Sequence, residues 1–186
     1  TENLKTVTPV SRLNSPRYIT FIGTGKAYIS SLYSDSLAIF NPATNSVKGY
    51  IDIGHPSESI ATFNSTAYVA RWTGDNKIMV INTENDMVTD SIEVGMEPES
   101  MVIDRFETLW VLCNGGWQRN YYAELIAINT TTNTIEKRFE FPSKDDSPTC
   151  LQIDGEGDNL FFVLNGVRKM SIAASDLPNQ DFISSA

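Results

Sequence analysis

The sequence is poor in the residues that most often carry chemistry. It has one histidine, His55, and two cysteines, Cys113 and Cys150. Two cysteines make no disulfide framework, and no Cys-x-x-Cys pair is present. A structural zinc normally takes four Cys or His ligands, and three widely spread ones do not supply them. A Ser-His-Asp arrangement would rest on His55 alone, with no nucleophile-elbow motif beside it. There is no Gly-x-x-x-x-Gly-Lys phosphate loop and no dinucleotide-binding fingerprint. These absences remove most of the case for an enzyme, and nothing in the sequence calls for a metal or an organic cofactor. Each cysteine reads as a small buried apolar residue in a strand.

Positive charge is scarce as well. Fourteen basic residues face 23 acidic ones, a net charge of -9. Nucleic acid is excluded as a general partner, because backbone binding depends on Lys and Arg neutralising phosphates. The longest apolar runs, such as Leu160–Leu164, are strand-sized, far short of the ~20 residues of a membrane-spanning helix. No signal peptide opens the chain, which leaves an intracellular protein or a processed or trimmed chain.

What the sequence does contain is a repeat. Apolar residues make up 41% and charged residues 20%, the balance of a folded domain rather than a disordered chain. Ile51-Asp52-Ile53-Gly54 returns as Ile92-Glu93-Val94-Gly95. Ala27-Tyr28-Ile29-Ser30 returns as Ala67-Tyr68-Val69-Ala70, Leu109-Trp110-Val111-Leu112 and Leu160-Phe161-Phe162-Val163. A third phrase recurs as Leu37–Asn41, Ile78–Asn82 and Leu125–Asn129. Each unit holds four short β-branched or aromatic runs between turn residues. In the second unit these are Ser59–Phe63, Thr66–Arg71, Lys77–Asn82 and Met87–Val94. Asn41, Asn82 and Asn129 close equivalent turns, where asparagine tolerates left-handed backbone and bonds its own chain. No helix-length window shows helical periodicity.

Four antiparallel strands in each unit of about 40 residues predict an all-β fold, a β-propeller with four four-stranded blades. The blades span residues 15–54, 55–95, 96–142 and 143–186. Residues 1–14 read as the outer strand of a preceding, incomplete blade, on Lys5–Leu13 with Val7 and Val10 alternating. The fourth blade has its own outer strand near Asp181–Ser184. That leftover strand points to part of a larger ring of seven blades, completed by further blades; the alternative is two chains pairing into a ring.

In such a fold, ligands meet the face built by the loops between second and third strands and by the connections between blades. Those loops differ sharply here, and variable loops on a rigid scaffold are where binding residues concentrate. The first blade has Tyr33 in Ser31–Asp35. The second has Arg71 and Trp72 in a loop running to Asn76. The third has a long insert, Asn114-Gly115-Gly116-Trp117-Gln118-Arg119-Asn120-Tyr121-Tyr122-Ala123. The fourth has a tight Asn165-Gly166 turn. Trp and Tyr offer rigid contact area with a polar tip, and Arg71 and Arg119 offer charge-assisted hydrogen bonds or stacking on a planar ligand. The candidate ligand-binding residues are therefore Tyr33, Arg71, Trp72, Asn114, Trp117, Arg119, Tyr121 and Tyr122. The competing readings are that the aromatics fold back on the blade rim and that each arginine makes a surface ion pair. Glu58 and Glu99, at equivalent repeat positions, read as structural, and His55 as a solvated loop residue. Asp145-Asp146 is a turn or a ligand contact. Asp154–Asn159 lacks the spacing and terminal Glu of a calcium loop and reads as a hairpin turn.

The blades resemble the YVTN/YncE-like repeat, most closely in Ala67–Ala70, Ile78–Val88 and Ser91–Pro98. With Ser15–Ile19, Lys26–Ile29 and Asn41–Thr44 they are similar to the DUF5074-type "surface layer" propellers of gut Bacteroidetes. That resemblance implies an exported, often lipid-anchored protein of the cell surface and outer membrane. Some members are similar to surface propellers that capture cobalamin and pass it to an outer-membrane transporter. Asp35-Ser36-Leu37 and Asp90-Ser91-Ile92 match the short Asp-Ser/Thr-apolar pattern glycosylated on such proteins. The expected function is non-enzymatic capture of a small molecule, cobalamin being the family's precedent. The alternative is a structural or protein-interaction scaffold.

Overall fold

The computed structural model describes residues 9–184. They form fifteen strands and, among the described residues, no helix; none is therefore long and apolar enough to cross a membrane. The first sheet is β1 (Pro16–Gly23), β2 (Lys26–Ser31), β3 (Ser36–Asn41) and β4 (Ser46–Asp52). The second is β5 (Ser57–Phe63), β6 (Thr66–Arg71), β7 (Lys77–Asn82) and β8 (Met87–Glu93). The third is β9 (Pro98–Ile103), β10 (Thr108–Cys113), β11 (Glu124–Asn129) and β12 (Thr134–Glu140). The fourth is β13 (Thr149–Ile153), β14 (Asn159–Leu164) and β15 (Gly166–Ser171). Every sheet is an antiparallel meander in chain order. The first strands pack in series, β1 on β5, β5 on β9 and β9 on β13, with no comparable packing of β13 on β1 among the described residues. This is a fan of blades around an axis.

The fan is held by apolar layers between blades. Along β6 the side chains alternate. Ala67 and Val69 pack toward the first blade with Tyr28, Leu37 and Ile51. Tyr68 and Ala70 pack toward the third with Leu109, Val111 and Ile126. Strands covered on both faces read as unbroken apolar runs rather than alternating ones, which is why Ala67–Ala70 and Leu109–Leu112 look as they do. Between the third and fourth blades Trp110, Leu112, Leu125 and Phe141 meet Leu151, Leu160, Phe162 and Met170. Each fully buried Leu, Ile or Phe in these layers is worth about 1.5–3 kcal/mol. The large side chains also reach polar partners: the Tyr28 hydroxyl meets Asp86 of the next blade, and Trp110 Nε1 donates to Asp104 at 2.8 Å.

The turns follow their chemistry. Asn41, Asn82 and Asn129 each accept, on Oδ1, a backbone N–H two or three residues on, at 2.8–3.0 Å. Asn45, Asp86 and Asn133, four residues after each, are left-handed. Glu58 and Glu99 prove to be ties between first strands. Arg17 grips Glu58 with two donors, at 2.7 and 2.9 Å, and Glu99 accepts the backbone N–H of Cys150 at 2.9 Å.

Three expectations need correction or reframing. Residues 1–8 of the segment expected to form a strand lie outside the described residues, Val7 among them. Its described part is not paired in a sheet; Val10 and Leu13 lie against Ala27, Ile29, Ala38 and Phe40 on the side face of the first blade. The outer strand expected at Asp181–Ser184 shrinks to a single bridge, Ile183 to Val167. Asp181 pairs with Arg168 at 2.8 Å, and Phe182 and Ile183 exchange backbone hydrogen bonds with Val167, so the segment is held at that one bridge and by the Asp181 ion pair rather than along a ladder. Of the two cysteines only Cys113 is buried; Cys150 is exposed, because alternation turns it away from Leu151 and the layer shared with the third blade.

Candidate functional site

The long β10–β11 insert, the β6–β7 loop and the β8–β9 connection meet at one end of the second and third blades. Their backbones are stitched together. Glu97 N–H donates to Asp75 O at 2.8 Å, Asn114 N–H to Glu97 O at 3.1 Å, and Gly115 N–H to Met96 O at 3.1 Å. Asn114 Oδ1 accepts Gly116 N–H at 2.9 Å, closing the start of the insert on itself. Six residues here, Thr73, Gly74, Glu97, Gly115, Gly116 and Arg119, have left-handed backbone. Three are not glycine, and such strain persists only where the surroundings over-determine it, often at binding sites.

The three segments enclose a cleft of about 350 Å³, lined chiefly by Thr73, Gly74, Met96, Glu97, Trp117 and Tyr121. Trp117 is 76% exposed and Tyr121 54%, so neither serves as rim packing. Glu97, by contrast, is only 3% exposed. One of its carboxylate oxygens accepts the N–H of Gly74 at 2.9 Å. No ion pair to it is formed among the described residues. A second cavity, of about 310 Å³, continues past Met96 and Tyr121 toward Glu124, Arg138 and Lys144. Burial pushes the Glu124 carboxyl above the usual carboxylate range, and its ion pair with Arg138 pulls it partly back.

The other residues named from sequence are not brought into this cleft. Arg71 is turned to Asp75 at 2.7 Å, with His55 3.8 Å from the same carboxylate. Trp72 lies under the Arg17 guanidinium, 5.8 Å from its ring centre, at the junction with the first blade; its buried Nε1 has no hydrogen-bond partner among the described residues. Arg119 donates to the carbonyl of Asp145, tying the insert to the turn at Ser143–Asp146. Tyr122 carries Lys144 over its ring at 5.3 Å and lines only the second cavity. Asn114 shapes the loop. Tyr33, 69% exposed, borders a larger cavity of about 460 Å³ on the side face of the first blade. Ile29 in that cavity corresponds to Val69 and Val111, which are interior to the blade layers, so this cavity is an uncovered packing face rather than a built site.

Glu97 was not legible as a site residue. Its one sequence signal is that it stands where the preceding repeat has Pro56. Asp154 caps its own hairpin: Asn159 Nδ2 donates to it at 2.6 Å and Asp158 N–H at 2.8 Å. The Asn159 side chain first, then the backbone N–H groups, hold its carboxyl below the ordinary value. Among the described residues no group of three His, Cys, Asp or Glu side chains could hold a metal.

No protein-family model and no curated protein sequence matches the chain. Solved structures do. Hydrazine synthase of Kuenenia stuttgartiensis superposes with a TM-score of 0.77 at 19% identity, over 94% of this chain and 51% of that one. The dihydro-heme d1 dehydrogenase NirN, solved in complex with DHE, gives 0.71 at 12% identity, over 92% and 38%. Virginiamycin B lyase from Staphylococcus aureus gives 0.69 at 14% identity, over 89% and 57%. The chain thus spans about half the length of these neighbours or less. At such identities the likeness establishes architecture and nothing about activity: the chain is built of β-propeller blades.

Proposed function

We propose that this chain is a non-catalytic binding propeller that captures a small molecule through the loops of its second and third blades. The observation that supports this is the cleft itself: two exposed aromatics, Trp117 and Tyr121, stand over a buried polar floor, on loops tied to a rigid pair of sheets. Its volume lies in the range of small-molecule sites, where apolar walls and a few placed polar groups provide affinity and orientation. The enzymatic names among the structural neighbours carry over as fold only.

The resemblance to surface-layer propellers makes cobalamin the first ligand to test. A corrin would lie across the mouth, against Trp117 and Tyr121, rather than enter a cleft of about 350 Å³. The same resemblance supports a place at the cell surface, with an outer-membrane transporter as recipient. Titration of the protein with cobalamin, and with unrelated glycans, tests the reading by calorimetry. Saturable binding that is lost in Trp117→Ala is the expected result; binding that Trp117→Ala leaves unchanged would overturn it. A second reading, a protein-interaction scaffold that docks a partner through the insert, is supported by the exposure of Trp117, Tyr121 and Tyr122. Capture of a membrane-fraction protein that is lost when residues 115–122 are deleted would favour docking through the insert.

A further inference from the structure

A carboxylate removed from water is stable only when paired or hydrogen-bonded; otherwise its desolvation is expensive. Glu97 is nearly sealed by three loops, yet it receives one hydrogen bond, from Gly74, and no ion pair among the described residues. Of the three buried acids among the described residues, Glu58 is paired with Arg17 and Asp104 accepts three hydrogen bonds. Glu97 is the buried acid left with a single hydrogen bond. It is also the acid that lines the aromatic cleft, and no lysine or arginine lines that cleft with it.

We propose that Glu97 is the anchor for a small organic cation, a protonated amine or quaternary ammonium, whose apolar body lies between Trp117 and Tyr121. The proposal rests on the cleft being the binding site and names the chemistry of its ligand. The parts fit that chemistry. The free carboxylate capacity supplies the counter-charge, and a charge-assisted hydrogen bond is about twice as strong as a neutral one. Aromatic faces attract cations through their quadrupole, more strongly where water is excluded. The net charge of -9 raises the local concentration of cations rather than anions. A metal ion is a poorer occupant, because among the described residues Glu97 belongs to no group of three His, Cys, Asp or Glu side chains that could hold one. The left-handed backbone at Glu97, φ 52°, is held by its own N–H and C=O bonds to Asp75 and Asn114. The carboxylate is therefore placed before any ligand arrives.

The test uses pairs of probes that differ in charge alone: benzylamine against benzyl alcohol, and choline against 3,3-dimethylbutan-1-ol, each titrated at millimolar concentration against Trp fluorescence. Glu97→Gln keeps an acceptor for Gly74 and removes the charge. The expected result is that at least one cation binds tenfold or more tighter than its neutral partner, weakens with added salt, and loses tenfold or more in Glu97→Gln. Equal binding of charged and neutral probes, or failure of both cations while cobalamin still binds in a Trp117-dependent way, overturns the cation and leaves the cleft. Failure of every probe and of cobalamin overturns both. If Glu97→Gln does not fold, the charged-against-neutral comparison on the unaltered protein decides alone.

Discussion

Substituting Gly115 by alanine tests whether the insert is held as described. Gly115 has φ +80°, and a Cβ there would stand 2.7 Å from Tyr121 O, 3.0 Å from Ala123 N and 3.1 Å from Tyr122 C. All three are backbone atoms, so no rotamer change relieves the contact. The left-handed conformation alone costs a non-glycine residue about 1–2 kcal/mol. Shifting the returning limb of the loop, whose next residues enter β11, adds to it, for a total of about 2–3 kcal/mol. For a chain of this size each kcal/mol moves Tm by about 2–4 °C, so Gly115→Ala should melt roughly 4–12 °C lower by circular dichroism. Its Trp emission should also shift as Trp117 and Tyr121 move apart. Gly25, with no atom within 4 Å of its would-be Cβ and no positive φ, is the control, and Gly25→Ala should melt within about 2 °C of the unaltered protein. If Gly115→Ala also melts there and its emission is unchanged, the loop is not held as argued.

Asp104 accepts Phe106 N–H, Thr108 N–H and Trp110 Nε1 at 2.8–3.0 Å. Asp104→Ala strands a buried indole N–H and should lower stability by about 3–4 kcal/mol, read as a lower urea midpoint at unchanged slope, with Asp104→Asn recovering part. A thiol reagent should label one cysteine per native chain and two after unfolding. Cys150 is exposed, whereas burial, and then Glu124, push the Cys113 thiol well above the ordinary range; none or two labelled natively contradicts this. Asp154 carries a depressed carboxyl, so its stabilisation is fully present above the ordinary value of 3.8 and is lost as pH falls through the folded value. The Tm gap between the unaltered protein and Asp154→Asn should therefore be widest near neutrality and close in acid; a gap that stays constant with pH contradicts it.

The blades were readable because burial on both faces leaves a coarse mark: runs such as Ala67–Ala70 and Leu109–Leu112 recur about every 40 to 50 residues, and the asparagine turns between them act through local bonds. The aromatic insert was readable as a departure from that repeat. What escaped were facts of the third dimension. Nothing in the order of residues says that Trp72 turns under Arg17, that Arg71 is taken by Asp75, or that Tyr33 stands on a side face rather than over the cleft. Glu97 escaped for the opposite reason. A glutamate beside a proline in a connection reads as solvated, and only the convergence of three loops buries it. The fourth strand of the last blade failed because Asp181, Phe182 and Ile183 suit an outer strand, yet the segment is held at a single bridge to Val167, with Asp181 on Arg168 and Phe182 on Phe161, rather than along a ladder.

The most direct measurement is a crystal structure of the protein soaked with benzylamine. The account predicts the ammonium nitrogen about 2.8 Å from the Glu97 carboxylate, with the phenyl ring between Trp117 and Tyr121. An empty cleft, or benzylamine seated instead on the side face of the first blade beside Tyr33, would contradict it.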